Sequence, residues 1–173
     1  MSHPKPQGLS VEQAFRQAMR GFASTVTVIT GGSSARRHGM TATAVSSLAM
    51  NPPSLLVCLN RETLLSDIMV EARSFCVNVL QADQQDISSA FSDQVSAEER
   101  FSVGQWDYNE AGLPFLKAAQ ASVFCRKTAA IPYGSHVILI GEVENVRLNE
   151  GSGPLVYHAG QYCASHVLPK ETV

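Results

Sequence analysis

The sequence lacks the signals that place a protein in several common functional classes. Its 173 residues include 13 basic and 15 acidic ones, a formal net charge of -2, so no broad cationic surface for nucleic acid is expected. No apolar stretch reaches the length of about 18 residues that a membrane span needs, and the N-terminus has no apolar signal-peptide core. We therefore expect a cytoplasmic protein without a nucleic-acid or membrane partner.

Short catalytic motifs are also missing. The chain contains no G-x-G-x-x-G, no P-loop and no G-x-S-x-G, which argues against a doubly wound nucleotide fold and against a hydrolase nucleophile. Cys58, Cys76, Cys125 and Cys163 are widely separated with no C-x-x-C, and the first three lie in apolar runs. We interpret these three as reduced core thiols, and we expect neither a metal site nor nucleophilic catalysis.

Length and composition predict one domain with a substantial core, since 45% of the residues are hydrophobic. Residues 1–9 contain two prolines and a glycine and are expected to be a flexible N-terminal arm. The domain is expected over residues 10–165, followed by a C-terminal tail at residues 166–173.

Several segments have the alternation or the β-branched content of strands, and fewer have helical spacing. The predicted strands are Ser24–Thr30, Gly39–Ser46, Ser54–Leu59, Phe75–Leu80, Ala119–Lys127, His136–Val146 and Leu155–His158. The predicted helices follow Ser10, which has a capping-box pattern with Gln13, and cover residues 60–72, 82–91 and 97–100. This order is not a βαβ alternation, so we predict a mainly β, antiparallel barrel with peripheral helices.

Three connecting features complete this prediction. The Gly31–His38 segment is expected to be a turn in which Arg36 and Arg37 face solvent, and Phe101–Pro114 is expected to be irregular and packed by its aromatic residues. Gly141 interrupts a long strand and predicts a bulge or a close approach.

The least ordinary stretch is Gly39–Leu59, in which hydroxyl residues alternate with small ones before a diproline and an apolar strand. Such a segment could let a ligand approach the backbone closely, with a polar bend expected near Ser46 and Ser47. The alternative is that these hydroxyls only line a solvated strand face. The small residues Ala42 and Ala44 favour a ligand, because they leave space beside the sheet.

Two histidines have alternative interpretations. His136 follows Tyr133-Gly134-Ser135 at the start of the longest predicted strand. It is either an exposed loop residue or an imidazole at a barrel rim that hydrogen-bonds a cofactor. His158 has the same two interpretations.

Taken together, the segments FASTVTVITG, HGMTATAVSSLAMNPPSLLVCLNR, FCVNVL, RFSVGQW, GLPFL, YGSHVILIGEVENV and PLVYHAGQY resemble the flavin reductase-like, FMN-binding split-barrel family. Members of this family are small reductase components of two-component flavin monooxygenases. The resemblance covers roughly residues 14–162. It implies an antiparallel split β-barrel that binds a flavin.

The resemblance also implies roles for individual residues. The expected flavin-binding residues are Thr41, Ala42, Thr43, Ser46, Ser47, Cys58, Asn60, Thr63, Arg100, Phe101 and Tyr162. Thr63 would add a donor near a helix N-terminus, and Arg100 would neutralise phosphate. Gly134, Ser135 and His136 match the Gly-Asp-His motif associated with nicotinamide binding. Ser135 departs from the motif, so a carboxylate that could orient the imidazole is absent.

The implied function is hydride transfer from NADH or NADPH to FMN or FAD, with no catalytic side chain, to supply a partner monooxygenase. One alternative is a reductase that retains its flavin and passes electrons to another acceptor, such as a cobalt corrinoid. A second alternative, motivated by Ser135, is a flavin-binding barrel without reductase turnover. A homodimer is expected in each case.

Overall fold

The computed structural model describes residues 8–33, 35–92 and 95–167. The expected N-terminal arm and C-terminal tail therefore lie mostly outside the described residues. The helices are α1 (Val11–Arg20), α2 (Leu64–Glu71), α3 (Gln85–Ser92) and α4 (Ala97–Ser102). The strands are β1 (Ser24–Thr25), β2 (Thr27–Ser33), β3 (Arg36–Ala42), β4 (Val45–Met50), β5 (Pro53–Asn60), β6 (Ser74–Val79), β7 (Trp106–Tyr108), β8 (Pro114–Leu116), β9 (Ala121–Tyr133), β10 (His136–Leu148), β11 (Leu155–His158) and β12 (Gln161–Ala164).

Seven strands form one antiparallel sheet in the order β3-β2-β6-β9-β10-β5-β4. The strands β3 and β4 follow each other in the chain, yet they lie at opposite edges of this sheet. Side chains from both edges pack on one core cluster together with Ile29, Val57 and Leu139, so the sheet is rolled around that cluster. This arrangement is a split β-barrel, and it confirms the predicted mainly β fold with peripheral helices.

Smaller elements close the two ends of the barrel. Helix α2 contributes Leu65, Ile68 and Met69 to the central core cluster. A second cluster, in which Phe91, Phe101 and Leu155 are buried, joins α3 and α4 to the three-stranded sheet β1-β11-β12. No helix within the described parts of the chain is long and apolar enough to cross a membrane.

The start of α1 and the bulge follow the sequence predictions, whereas α2 and α3 begin four and three residues later than predicted. The Ser10 hydroxyl accepts a hydrogen bond from the Gln13 N–H, and the Gln13 side-chain oxygen accepts one from the Ser10 N–H, which confirms the capping box. The pairing of β10 with β9 shifts register between Ile140 and Gly141. A Cβ at Gly141 would lie 2.5 Å from the Phe75 ring, so the predicted close approach is also confirmed.

The predicted strand Ser24–Thr30 is interrupted at Val26. The Val26 N–H donates to the Leu155 carbonyl, and the Val26 carbonyl accepts from the Leu80 N–H. The segment therefore passes from the small sheet to the large one at this residue. Pairing partners that are distant in sequence cause the break.

The predicted strand Gly39–Ser46 is wrong at its C-terminal end. Strand β3 ends at Ala42, Thr43 and Ala44 connect the two strands, and β4 begins at Val45. The expected polar bend near Ser46 and Ser47 is instead a shift of register inside β4, between Ser47 and Ala49 of its pairing with β5. The chain bends two residues earlier because it must cross there from one sheet edge to the other.

The turn predicted for Gly31–His38 is shorter than expected, because β2 and β3 extend into it, and Arg36 is exposed as predicted whereas Arg37 is half-buried. The Arg37 guanidinium carbon lies 4.5 Å from the centre of the Phe101 ring, and Arg37 donates to the Tyr108 hydroxyl. Tyr108 belongs to β7, which pairs with β8. The Phe101–Pro114 segment, predicted to be irregular, thus contains the end of α4 and one strand of a small hairpin.

Candidate functional site

The hydroxyl-rich stretch lies at the seam of the split barrel, where the two edge strands meet in the chain. Thr41 and Ala42 end β3 and are half-buried, whereas Thr43, Ser46 and Ser47 are exposed. An edge strand leaves every second backbone N–H and C=O without a ladder partner. The exposed side chains of Thr43, Ser46 and Ser47 therefore put hydroxyls at the seam.

The neighbouring strand β5 brings two further predicted residues to the seam. The Cys58 N–H donates to the Ala44 carbonyl over 3.0 Å. Ser46 pairs with Leu56, and alternation along β5 places Leu56, Cys58 and Asn60 on one face. Both Cys58 and Asn60 are half-buried on this face, so they continue the wall that begins at the seam.

Thr63 lies where β5 leads into α2, and it is the N-cap of that helix. Its hydroxyl donates to the Asn60 carbonyl over 2.8 Å and accepts from the Ser66 N–H over 3.3 Å. Both the donor and the acceptor capacity of the Thr63 hydroxyl are therefore used at the start of α2. An anion near Thr63 would be bound by helix N–H groups more than by this side chain.

The β9–β10 hairpin brings the predicted nicotinamide residues against the same wall. His136 pairs directly with Asn60, and the Arg61 N–H donates to the Ser135 carbonyl over 2.9 Å. The Ser135 hydroxyl lies 2.9 Å from His136 Nδ1, and the imidazole is exposed. A neutral hydroxyl thus orients the ring where the family motif has a carboxylate, and Nε2 points away from that contact.

Arg100 and Phe101 are not brought to the seam surface. The Arg100 side chain is 8% exposed, and its guanidinium donates to the backbone carbonyls of Phe91 over 2.8 Å and Val95 over 3.2 Å. Phe101 packs edge-on against Phe91 with ring centres 5.1 Å apart. Both residues therefore support β3 from inside the molecule, and a phosphate at the seam needs a more exposed cation.

Tyr162 reaches the seam through a residue that the sequence did not single out. The Tyr162 hydroxyl lies 2.9 Å from Ser88 Oγ, and the Thr41 hydroxyl donates to the Ser88 carbonyl over 2.7 Å. Ser88 is fully buried on α3, next to Ile87. Its only signal in the sequence is its position on the apolar side of a short helix, which does not indicate a hydrogen-bonding role.

Burial favours the neutral forms of His38, Cys76 and Cys125, whereas the buried Arg100 is charged. Burial, followed by the charge of Arg100, lowers the pKa of His38, whose Nδ1 has no hydrogen-bond partner among the described residues. Burial raises the pKa of Cys125 to about 12 and also raises that of Cys76. Thiols with raised pKa values are poor nucleophiles and poor metal ligands. Within the described ranges, no three His, Cys, Asp or Glu side chains could together hold a metal ion.

The donor set at the seam fits the polar edge of a planar heterocycle. Residues 43, 44, 46 and 47 are exposed, Val45 is half-buried, and the side chain of Ala44 is small. Two cavities open beside Thr43, with volumes of about 510 and 390 Å³. These volumes are in the range of roughly 300–1,000 Å³ typical of small-molecule sites.

Comparison with known proteins identifies the family of the chain. Residues 19–166 match the flavin reductase like domain. The reductase component of the FADH(2)-dependent resorcinol hydroxylase of Rhizobium sp. strain MTP-10005 is 48% identical over 92% of this chain and 89% of the relative. FMN reductase (NADH) RutF of Pseudomonas syringae pv. syringae strain B728a is 42% identical over 92% of this chain and 88% of the relative.

Two solved structures share the fold. Flavin reductase PheA2 has a TM-score of 0.80 and 30% identity, covering 91% of this chain and 100% of its own. BorF, the flavin reductase component of a bacterial two-component tryptophan halogenase, also has a TM-score of 0.80 and 30% identity, covering 88% of this chain and 96% of its own. The family match and these identities show that the chain belongs to the flavin reductase-like domain family.

Proposed function

We propose that this chain is an NADH-dependent flavin reductase that supplies reduced FMN or FAD to a partner monooxygenase. The observation that carries the proposal is the direct pairing of Asn60 with His136. This pairing puts His136 on the same face of the sheet as Asn60 and Cys58 of β5, two of the residues expected to bind the flavin. The names of the relatives at 48% and 42% identity support the reaction and the use of NADH.

The two bound ligands would supply the chemistry, a hydride from the reduced nicotinamide and a flavin to accept it. The protein's part is to bind and orient. Backbone groups and hydroxyls from Thr41 to Ser47 would hold the polar edge of the ring, where donors stabilise negative charge. Cys58 and Asn60 would continue that wall, and Tyr162 would close it through Ser88. No side chain need act as a nucleophile, and none in the described core is suited to it.

The direct test is anaerobic mixing of the flavin-loaded protein with NADH, followed by absorbance of the oxidised flavin. We expect bleaching much faster than in the protein-free mixture, because bound reactants are already oriented. A parallel reaction with NADPH measures the nucleotide preference. Bleaching at only the uncatalysed rate would instead identify a flavin-binding barrel without turnover.

The same preparation distinguishes the destinations of the electrons. A reductase that feeds a separate monooxygenase must release reduced flavin, so gel filtration is expected to strip the flavin from the protein. Stoichiometric retention of flavin would contradict this and would favour a bound-flavin reductase of another acceptor, such as a cobalt corrinoid. The reductase components named above, which belong to hydroxylase and halogenase systems, favour release.

His136 is proposed to orient the nicotinamide nucleotide. Its exposed ring is fixed through Nδ1 by Ser135, which leaves Nε2 for an amide or phosphate of the ligand. We expect His136→Ala to raise the apparent KM for NADH about tenfold, the value of roughly one hydrogen bond to a charged group. Flavin affinity should stay within experimental error. His166→Ala, at another exposed histidine, is the matched control, and unaltered NADH kinetics in His136→Ala would exclude this role.

A homodimer is proposed from the apolar residues that the sheet leaves exposed. Leu48 and Met50 of β4 and Ile131 and Tyr133 of β9 are between 48% and 84% exposed. Exposed apolar side chains on two strands of one sheet are candidate contacts between two copies of the chain. Sedimentation at micromolar concentration is expected to give a dimer, and a monomer would contradict the proposal.

We also propose a cytoplasmic location, since all four cysteines are free thiols.

A further inference from the structure

We propose that the larger cavity beside Thr43 is a second binding site, inside the barrel, for a small uncharged aromatic molecule that carries an O–H or N–H donor. The cavity has a volume of about 510 Å³. Cavities of this size are typical of small-molecule sites. The site is separate from the proposed flavin and nicotinamide sites, and the inference does not depend on them.

The cavity lies on the inner side of the rolled sheet. Leu55 of β5 lines it and is buried, whereas Leu56 and Cys58 point to the opposite face of the strand, where the wall beside the seam lies. Val77 and Val123 also line the cavity, and both pack in the central core cluster. The sheet itself therefore separates a ligand in the cavity from that wall.

The cavity occupies the end of the barrel away from α2. Thr27 of β2 lines it, whereas Met69 of α2 packs beside Gly31, at the other end of that strand. Both residues of β1 line the cavity as well, and so does Pro154, which directly precedes β11. The helix thus fills one end of the barrel, and the three-stranded sheet covers the other end with the cavity beneath it.

Gln120 provides a hydrogen-bond acceptor for a ligand in this cavity. It lines the cavity, and its Oε1 atom is buried without a hydrogen-bond partner among the described residues. The backbone of Gln120 is fixed on both sides, since its N–H donates to the Val79 carbonyl over 2.8 Å and its carbonyl accepts from the Asn149 N–H over 3.0 Å. A buried acceptor without a partner is costly, and an O–H or N–H donor in the cavity would satisfy it.

The remaining lining residues determine the body of the ligand. None of the described residues around the cavity is charged, so a charged ligand would lose its hydration without gaining an ionic partner. The Thr27 hydroxyl already donates to the Ala42 carbonyl over 2.6 Å. A rigid ring loses little conformational freedom on binding, and a phenol combines such a ring with one donor. The aliphatic side chains available to the ring are those of Val45, Leu55, Val77, Val79 and Val123.

The test measures the dissociation constants of phenol and toluene for the full-length protein by titration calorimetry over the millimolar range. Toluene has nearly the same size as phenol but no donor. Gln120→Leu is expected to weaken phenol binding about tenfold, the value of roughly one hydrogen bond, and not to weaken toluene binding. Retained toluene binding would also show that the cavity of the variant is intact. Gln105→Leu, at an exposed glutamine between α4 and β7, is the matched control and should affect neither ligand.

A second measurement uses the unmodified protein and repeats the phenol titration with saturating FMN. We expect an unchanged phenol affinity, because the sheet separates the cavity from the wall beside the seam. Competition between FMN and phenol would overturn the inference, since it would place the phenol at the flavin site.

Two further results would also overturn the inference. If the unmodified protein binds no phenol, the cavity holds only solvent. If Gln120→Leu binds phenol as tightly as the unmodified protein does, the ligand lies elsewhere. A protein that binds phenol as expected but does not reduce flavin would support this inference and contradict only the proposed function.

Discussion

The hydrogen bond from the Cys58 N–H to the Ala44 carbonyl holds the chain at the point where the rolled sheet splits. Strands β3 and β4 are joined only by Thr43 and Ala44, yet they form opposite edges of the seven-stranded sheet. A ladder cannot continue through so short a connection, so backbone groups remain unpaired on both sides of it. This constraint produces an exposed, polar seam on a molecule whose core is otherwise closed.

The division between core and seam explains why cofactor chemistry suits this protein. The buried thiols and His38 are held neutral by burial, and the Arg100 guanidinium is occupied by backbone carbonyls. The groups that remain accessible are hydroxyls, backbone amides and an oriented imidazole. Such groups bind and position ligands well, and a hydride transfer between two bound cofactors requires little else from a protein.

Local patterns in the sequence predicted the elements that depend on local physics. The capping box at Ser10, the apolar β5 strand and the bulge at Gly141 all follow from spacing and residue type. Spacing and residue type did not predict the interruption at Val26, because its cause is a hydrogen bond to Leu155, far along the chain. Where pairing with a distant residue fixes the end of a strand, the periodicity of the sequence cannot predict that end.

The sequence alone predicted the candidate site only in part, for the same reason. Composition indicated the seam, and the motif at Gly134–His136 indicated the second ligand, but nothing in the sequence placed Asn60 beside His136. The burial of Arg100 could not be predicted either. The sequence does not distinguish an arginine that hydrogen-bonds backbone carbonyls from one that binds phosphate. Ser88 carries no motif, and only the fold shows that it connects Tyr162 with Thr41.

The central claim is that the seam between β3 and β4 holds the flavin ring. Amide hydrogen exchange with and without saturating flavin tests it directly, because exchange reports protection residue by residue. The account predicts added protection at residues 43–47 and 58–60. Protection confined to the opposite end of the barrel, near Gly32, Arg73 and Leu113, would contradict it, since another cavity of about 480 Å³ lies there.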